Sequence, residues 1–124
     1  MARCISLDRY TPLAYNIDVM QFIETSSFTR QVTSLLTDDE YSQLQVALFT
    51  HPEMGVIIPR SGGLRKVRWS TSGRGKRGGV RAIYYWVVAE DKILMLFIYP
   101  KNQKDDLTPQ QLEVLRKIVE KEFK

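Results

Sequence analysis

The sequence predicts an α+β domain in which two helices precede a small, mostly antiparallel sheet and a third helix closes the chain. Three observations carry this reading. Two segments with helical spacing of apolar residues stand back to back between positions 26 and 49, three strand-like runs follow between 64 and 99, and a capped amphipathic stretch begins at Thr108.

Met20-Gln21-Phe22-Ile23-Glu24-Thr25 has the character of a first strand. Phe28, Val32, Leu35 and Leu36 then recur at helical spacing, predicting a short amphipathic helix from Ser26. Thr37-Asp38-Asp39-Glu40 is a capping-box pattern: the Thr37 hydroxyl and the Glu40 carboxylate satisfy amide donors that the first turn leaves free. Tyr41, Leu44, Leu48 and Phe49 form the expected buried stripe of the helix that follows, and Pro52 closes it. Pro59, Gly62 and Gly63 mark a loop, after which strands are expected over Leu64 to Trp69, Val80 to Val88 and Lys92 to Tyr99, with a turn at Glu90-Asp91. The run Ile93 to Ile98 is apolar without a break, as a central strand covered on both faces requires. Thr108-Pro109-Gln110-Gln111 supplies a cap, a first-turn proline and a capping glutamine ahead of Leu112, Leu115, Ile118, Val119 and Phe123. The order over residues 20–124 is β-α-α-β-β-β-α.

The chain has 124 residues, 44% of them hydrophobic and 26% charged, the composition of one ordinary globular domain. No apolar run is long enough to span a bilayer, so a soluble protein without a membrane partner is expected. Cys4 is the only cysteine. It excludes an intramolecular disulfide and a Cys/His metal framework, and fits a reducing cytoplasm. Residues 1–19 show neither clear periodicity nor the pattern of a signal peptide, and are read as an N-terminal extension of a domain spanning 20–124. Met20, at the head of the first strand, is the expected start of the native protein.

Charge distribution is the strongest functional signal. Between positions 60 and 81 lie Arg60, Arg65, Lys66, Arg68, Arg74, Lys76, Arg77 and Arg81, eight of the eighteen basic residues, with no Asp or Glu among them. A solvated surface usually interleaves both signs, so a block of one sign points to a polyanion. Ser70 to Lys76 are small or basic and can follow a phosphate backbone closely. Strand alternation places Val67 and Trp69 on one face and Lys66 with Arg68 on the other.

Other chemistries are hard to assemble. Gly73-Arg74-Gly75-Lys76-Arg77-Gly78 matches G-x-G-x-x-G, but a dinucleotide loop must open a helix, whereas Val80 to Tyr85 continues as strand. A kinase would also need a catalytic Asp motif and far more chain. His51, the sole histidine, stands at a helix end and reads as a C-terminal contact. Asp105 and Asp106 beside Lys104 read as a solvated loop, and no Ser-His-Asp set can be completed without His51. Cationic catalysis remains. RNA cleaves itself when a 2′-hydroxyl attacks the adjacent phosphorus, and one well-placed donor to the developing charge lowers such a barrier by about 3 kcal/mol. No metal or cofactor is expected, and Lys66 is the candidate for proton exchange.

Gly62-Gly63-Leu64-Arg65-Lys66-Val67-Arg68, then Gly73 to Tyr85, then Tyr99-Pro100-Lys101-Asn102, closely resemble the HigB-like branch of RelE toxins over Met20 to the end of the chain. The resemblance implies a RelE-like fold and the toxin of a type II toxin-antitoxin pair, an endoribonuclease that enters the ribosomal aminoacyl site and cuts messenger RNA there. It also implies a cognate antitoxin with a helix-turn-helix, similar to HigA. The family's Lys-x-Lys pair falls on Lys66 and Arg68, and its transition-state arginine on Arg81. Arg65, Arg74, Lys76, Arg77, Tyr84, Lys101 and Lys104 are the expected RNA contacts. Where some members carry Lys-Arg after the last strand this chain has Lys101-Asn102, and the family's later catalytic tyrosine falls near Thr108, leaving Tyr84, Tyr85 and Lys101 as substitutes for proton transfer. Tyr84 and Tyr85 point to opposite faces of their strand, and at least one is expected to pack in the core. Two other readings use the same scaffold: a ParE-like inhibitor of DNA gyrase, and a nucleic-acid-binding regulator without catalysis.

Overall fold

The computed structural model describes residues 2–6, 20–70, 79–101 and 107–123. In chain order the elements are β1 (Ala2–Ser6), β2 (Gln21–Thr25), α1 (Ser26–Leu35), α2 (Asp38–Thr50), β3 (Val56–Ile57), β4 (Arg65–Trp69), β5 (Val80–Val87), a 3₁₀ turn (Val88–Glu90), β6 (Lys92–Pro100) and α3 (Pro109–Phe123). The strands form one sheet in the order β1-β2-β6-β5-β4-β3. Only β2 and β6 run parallel; every other neighbouring pair is antiparallel. The fold is α+β, as the sequence predicts. Among the described residues no helix is long and apolar enough to cross a membrane.

The two later helices start where their predicted caps stand, and α1 begins at Ser26, as expected, after a Thr25 cap. Thr37 and Glu40 exchange both bonds of the capping box at 2.9 and 3.1 Å, and Thr108 and Gln111 make the same reciprocal pair at the head of α3. One stripe differs from expectation. Phe49 is exposed, and Gln45 is buried in its place beside Leu44 and Leu48. Helical period explains this, because position 45 lies between 41 and 48 on one face while 49 has rotated off it.

Two strands have no counterpart in the sequence reading. β1 lies within the segment that lacked periodicity, and pairs antiparallel with β2 from Ala2 opposite Thr25 to Ser6 opposite Gln21. β3 is two residues long and pairs with β4, Val56 opposite Lys66. Both are edge strands. They are defined by backbone bonds to a neighbour, which a short side-chain pattern does not reveal.

The sheet separates two apolar clusters. On one face Phe22, Ala82, Tyr84, Ile93, Met95 and Ile98 pack with Phe28 and Val32 of α1 and with Leu44 and Leu48 of α2. On the other, Ile83, Leu94, Leu96 and Tyr99 pack with Leu115 and Val119 of α3. The unbroken apolar run of β6 therefore serves both. Its alternation slips once: Ile83 lies opposite Phe97 and Tyr84 opposite Met95, so Leu96 is an extra residue in a β-bulge. Thr25 ties the bulge to α1, its hydroxyl donating to the Leu96 carbonyl at 2.8 Å while accepting from the Phe28 amide at 3.1 Å.

Candidate nucleic-acid interface

Register on the α3 face brings the predicted cations together. Arg68 lies directly opposite Arg81, and Arg81 directly opposite Tyr99, so a row of three residues crosses β4, β5 and β6. The next row is Lys66, Ile83 and Phe97. Directly opposed residues of an antiparallel pair have Cα atoms only about 4.5–5.5 Å apart. Val67 and Trp69 pack into the cluster on the other face, which leaves Lys66 and Arg68 on the α3 side as alternation predicts.

The two arginines differ in environment. Arg68 is exposed, whereas Arg81 is 6% exposed, set into the strand between neighbours on both sides. Like charges directly opposite each other in a sheet are unfavourable, and an anion between them would offset that cost.

Two of the expected RNA contacts face away. Arg65 and Tyr84 are opposite each other in the β4–β5 ladder, on the side of the sheet away from Lys66 and Arg68, because each is one residue out of phase with the cationic row. Tyr84 is fully buried. Its hydroxyl donates to the Pro52 carbonyl at 2.7 Å and accepts from the Gly55 amide at 2.9 Å. Arg65 donates through Nη1 to the carbonyls of Glu53 and Gly55, at 3.0 and 2.8 Å. Both side chains clamp the turn between α2 and β3. Burial pushes the Tyr84 phenol above its ordinary pKa, outweighing the Gly55 hydrogen bond and the Arg65 charge that act the other way. A proton-transfer or RNA-binding role for Tyr84 is thereby replaced by a structural one. Gly55 is needed at this clamp, since a Cβ there would sit 2.8 Å from the Tyr84 ring and hydroxyl.

The remaining predicted residues distribute as follows. Lys101 is exposed just past β6, and its amide donates to the Gly79 carbonyl at 3.1 Å, at the root of the β4–β5 connection. Tyr85 is half-buried against the α3-side cluster. Arg74, Lys76, Arg77 and Lys104, with Asp105 and Asp106, lie outside the described residues. His51 is the C-cap of α2, exposed, with Nδ1 3.8 Å from a Glu53 carboxylate oxygen. Among the described residues no group of three or more His, Cys, Asp or Glu side chains could hold a metal ion.

A groove that sequence reasoning did not single out borders the row. It has a volume of about 430 Å³, with Ile83 and Tyr99 of the sheet, Leu112 of α3 and Leu107 just before that helix among its lining, and with Lys66 and Arg60 contributing the charge. A space of this size is within the roughly 300–1,000 Å³ typical of small-ligand sites. The signal for it was present only in part: Pro59-Arg60-Ser61-Gly62-Gly63 announces a turn, but which face the turn overhangs is a matter of tertiary structure.

Residues 20–124 match the family model described as the RelE toxin of the RelE / RelB toxin-antitoxin system. That match covers the whole cationic row and the groove, and leaves β1 outside. The chain thus belongs to the RelE toxin family, and a cognate antitoxin is its partner by that membership.

Proposed function

We propose that the protein is a HigB-like endoribonuclease that cuts messenger RNA on the ribosome, acting in the cytoplasm and restrained by a helix-turn-helix antitoxin similar to HigA. The observation that carries this reading is the opposed pair Arg68 and Arg81, with Lys66 one row away on the same face. The nucleophile belongs to the substrate. The 2′-oxygen forms a bond to phosphorus as the bond to the 5′-oxygen breaks, leaving a cyclic phosphate and a 5′-hydroxyl. One proton leaves the attacking hydroxyl and one reaches the departing oxygen. Two arginines at opposed strand positions suit the charge that collects on the phosphorane oxygens, and Lys66, on the same face, is the candidate to exchange a proton. At about 3 kcal/mol for each well-placed donor, the pair alone would supply a useful acceleration without a metal ion.

Primer extension on cellular messages after expression tests the proposal. Breaks at codon boundaries, abolished by Arg68→Gln with Arg81→Gln, are the expected result. Intact messages accompanied by DNA damage would instead identify a gyrase inhibitor, and intact messages with intact DNA a binding protein without catalysis. Cleavage unchanged in Lys66→Ala would remove Lys66 from the mechanism.

A further inference from the structure

The turn before β4 holds a cation in a backbone conformation that ordinary side chains avoid. Arg60 has φ of 59°, in the left-handed region, and Gly62 and Gly63 follow at 77° and 108°. Left-handed backbone is normal for glycine and unfavourable for arginine, because Cβ crowds the following carbonyl. The turn is nevertheless firmly built. Ser61 is buried, its hydroxyl donating to the Ile58 carbonyl at 2.6 Å and accepting from the Leu64 amide at 2.9 Å, and the Ile58 amide donates to the Leu64 carbonyl at 2.8 Å. These bonds impose the conformation on whatever residue stands at position 60. Strain kept at such a position is a mark of use, and here it coincides with a charge at a groove.

Arg60 is exposed and lines the groove together with Lys66 and Tyr99. Tyr99 in turn lies directly opposite Arg81. Arg60 and Lys66 thus bring two positive side chains to the lining of the groove, and Tyr99 connects it to the Arg68–Arg81 row. The apolar lining of the groove matches the face of a nucleobase, and the cations at its margin match the phosphates on either side of that base.

We infer that Arg60 is a phosphate-binding residue of the RNA cleft, held by the strained turn at the margin of the groove that Lys66 and Tyr99 also line. The inference rests on the proposed action on RNA and adds to it a residue that grips the strand at the groove. A stabilising role for Arg60 and a binding role predict different results when the strain is relieved.

The test uses the full chain and a short single-stranded RNA with 2′-O-methyl sugars, which binds without being cut. Arg60→Gly and Arg60→Asn both remove the charge and both accept left-handed backbone. Each is expected to weaken RNA binding roughly five-fold and to reduce the slope of log affinity against log salt by about 0.7, the value for one phosphate contact to a single strand. Their thermal midpoints should be no lower than that of the unsubstituted chain. Arg68→Gln, measured alongside, reports on the RNA reading itself. Loss of affinity in Arg68→Gln with none in either Arg60 variant would overturn the role of Arg60 alone. Unchanged affinity in all three would overturn the RNA reading and this inference together.

Discussion

Two helices cover one face of the sheet and a single helix covers the other, while the strands beneath are the same. On the α1 and α2 side, Phe22, Phe28, Leu44, Leu48 and Tyr84 are each fully buried. On the α3 side the cover is a single helix: Leu115 and Val119 pack with Leu94, Leu96 and Tyr99 of β6, and Arg68 on β4 is left exposed. One face is thus closed by two helices and the other covered by one, and the exposed member of the cationic row, Arg68, stands on the second. Arginine chemistry on a small fold requires both, because the closed face supplies the stability that permits like charges to be crowded on the other.

The sharpest way to break this contrast is to neutralise the cationic row. Arg68→Gln with Arg81→Gln should slow cleavage by about four orders of magnitude, the equivalent of two donors at about 3 kcal/mol each, and should abolish growth arrest. Arg68→Gln by itself should leave chemical denaturation within about 0.5 kcal/mol of the parent, since the side chain is exposed. Growth arrest undiminished in the double variant would refute the assignment of the row.

The closed face should respond in the opposite sense. Leu48→Ala removes a fully buried side chain between α2 and the sheet and should cost about 2–5 kcal/mol in denaturant titration. Leu115→Ala on the other face, where the side chain is 7% exposed, should cost less. Equal losses would mean that the two faces contribute alike and that the contrast is only one of appearance.

Tyr84→Phe examines the clamp on the closed face. Loss of the hydroxyl leaves the Pro52 carbonyl and the Gly55 amide without that partner, an expected destabilisation of about 1–3 kcal/mol. Because burial raises the pKa of Tyr84, the folded protein holds the phenolic proton more tightly than the unfolded chain does. Its contribution to stability is therefore complete below about pH 10 and declines as pH rises from there through the higher folded-state value. The variant should lack that part of the alkaline decline in thermal midpoint. Thr37→Ala is the mildest change. It deletes the α2 cap, should cost about 1 kcal/mol, and should leave cleavage untouched, since α2 lies on the closed face.

Helix caps, strand alternation and the clustering of positive charge were legible in the sequence by itself, for one physical reason: each depends on residues within a few positions of one another. Thr37 with Glu40, Thr108 with Gln111, and Lys66 with Arg68 either side of Val67 are all of this kind. What required the tertiary structure was the pairing of distant segments. The register sets Arg68 against Arg81, turns Arg65 and Tyr84 to the opposite side as a structural clamp, adds β1 and β3 at the edges, and hangs Arg60 over a groove completed by α3. A basic residue carries the same charge wherever it stands; whether it meets a phosphate or a carbonyl of its own chain is decided by the face it occupies, and in a strand one step of register exchanges the two.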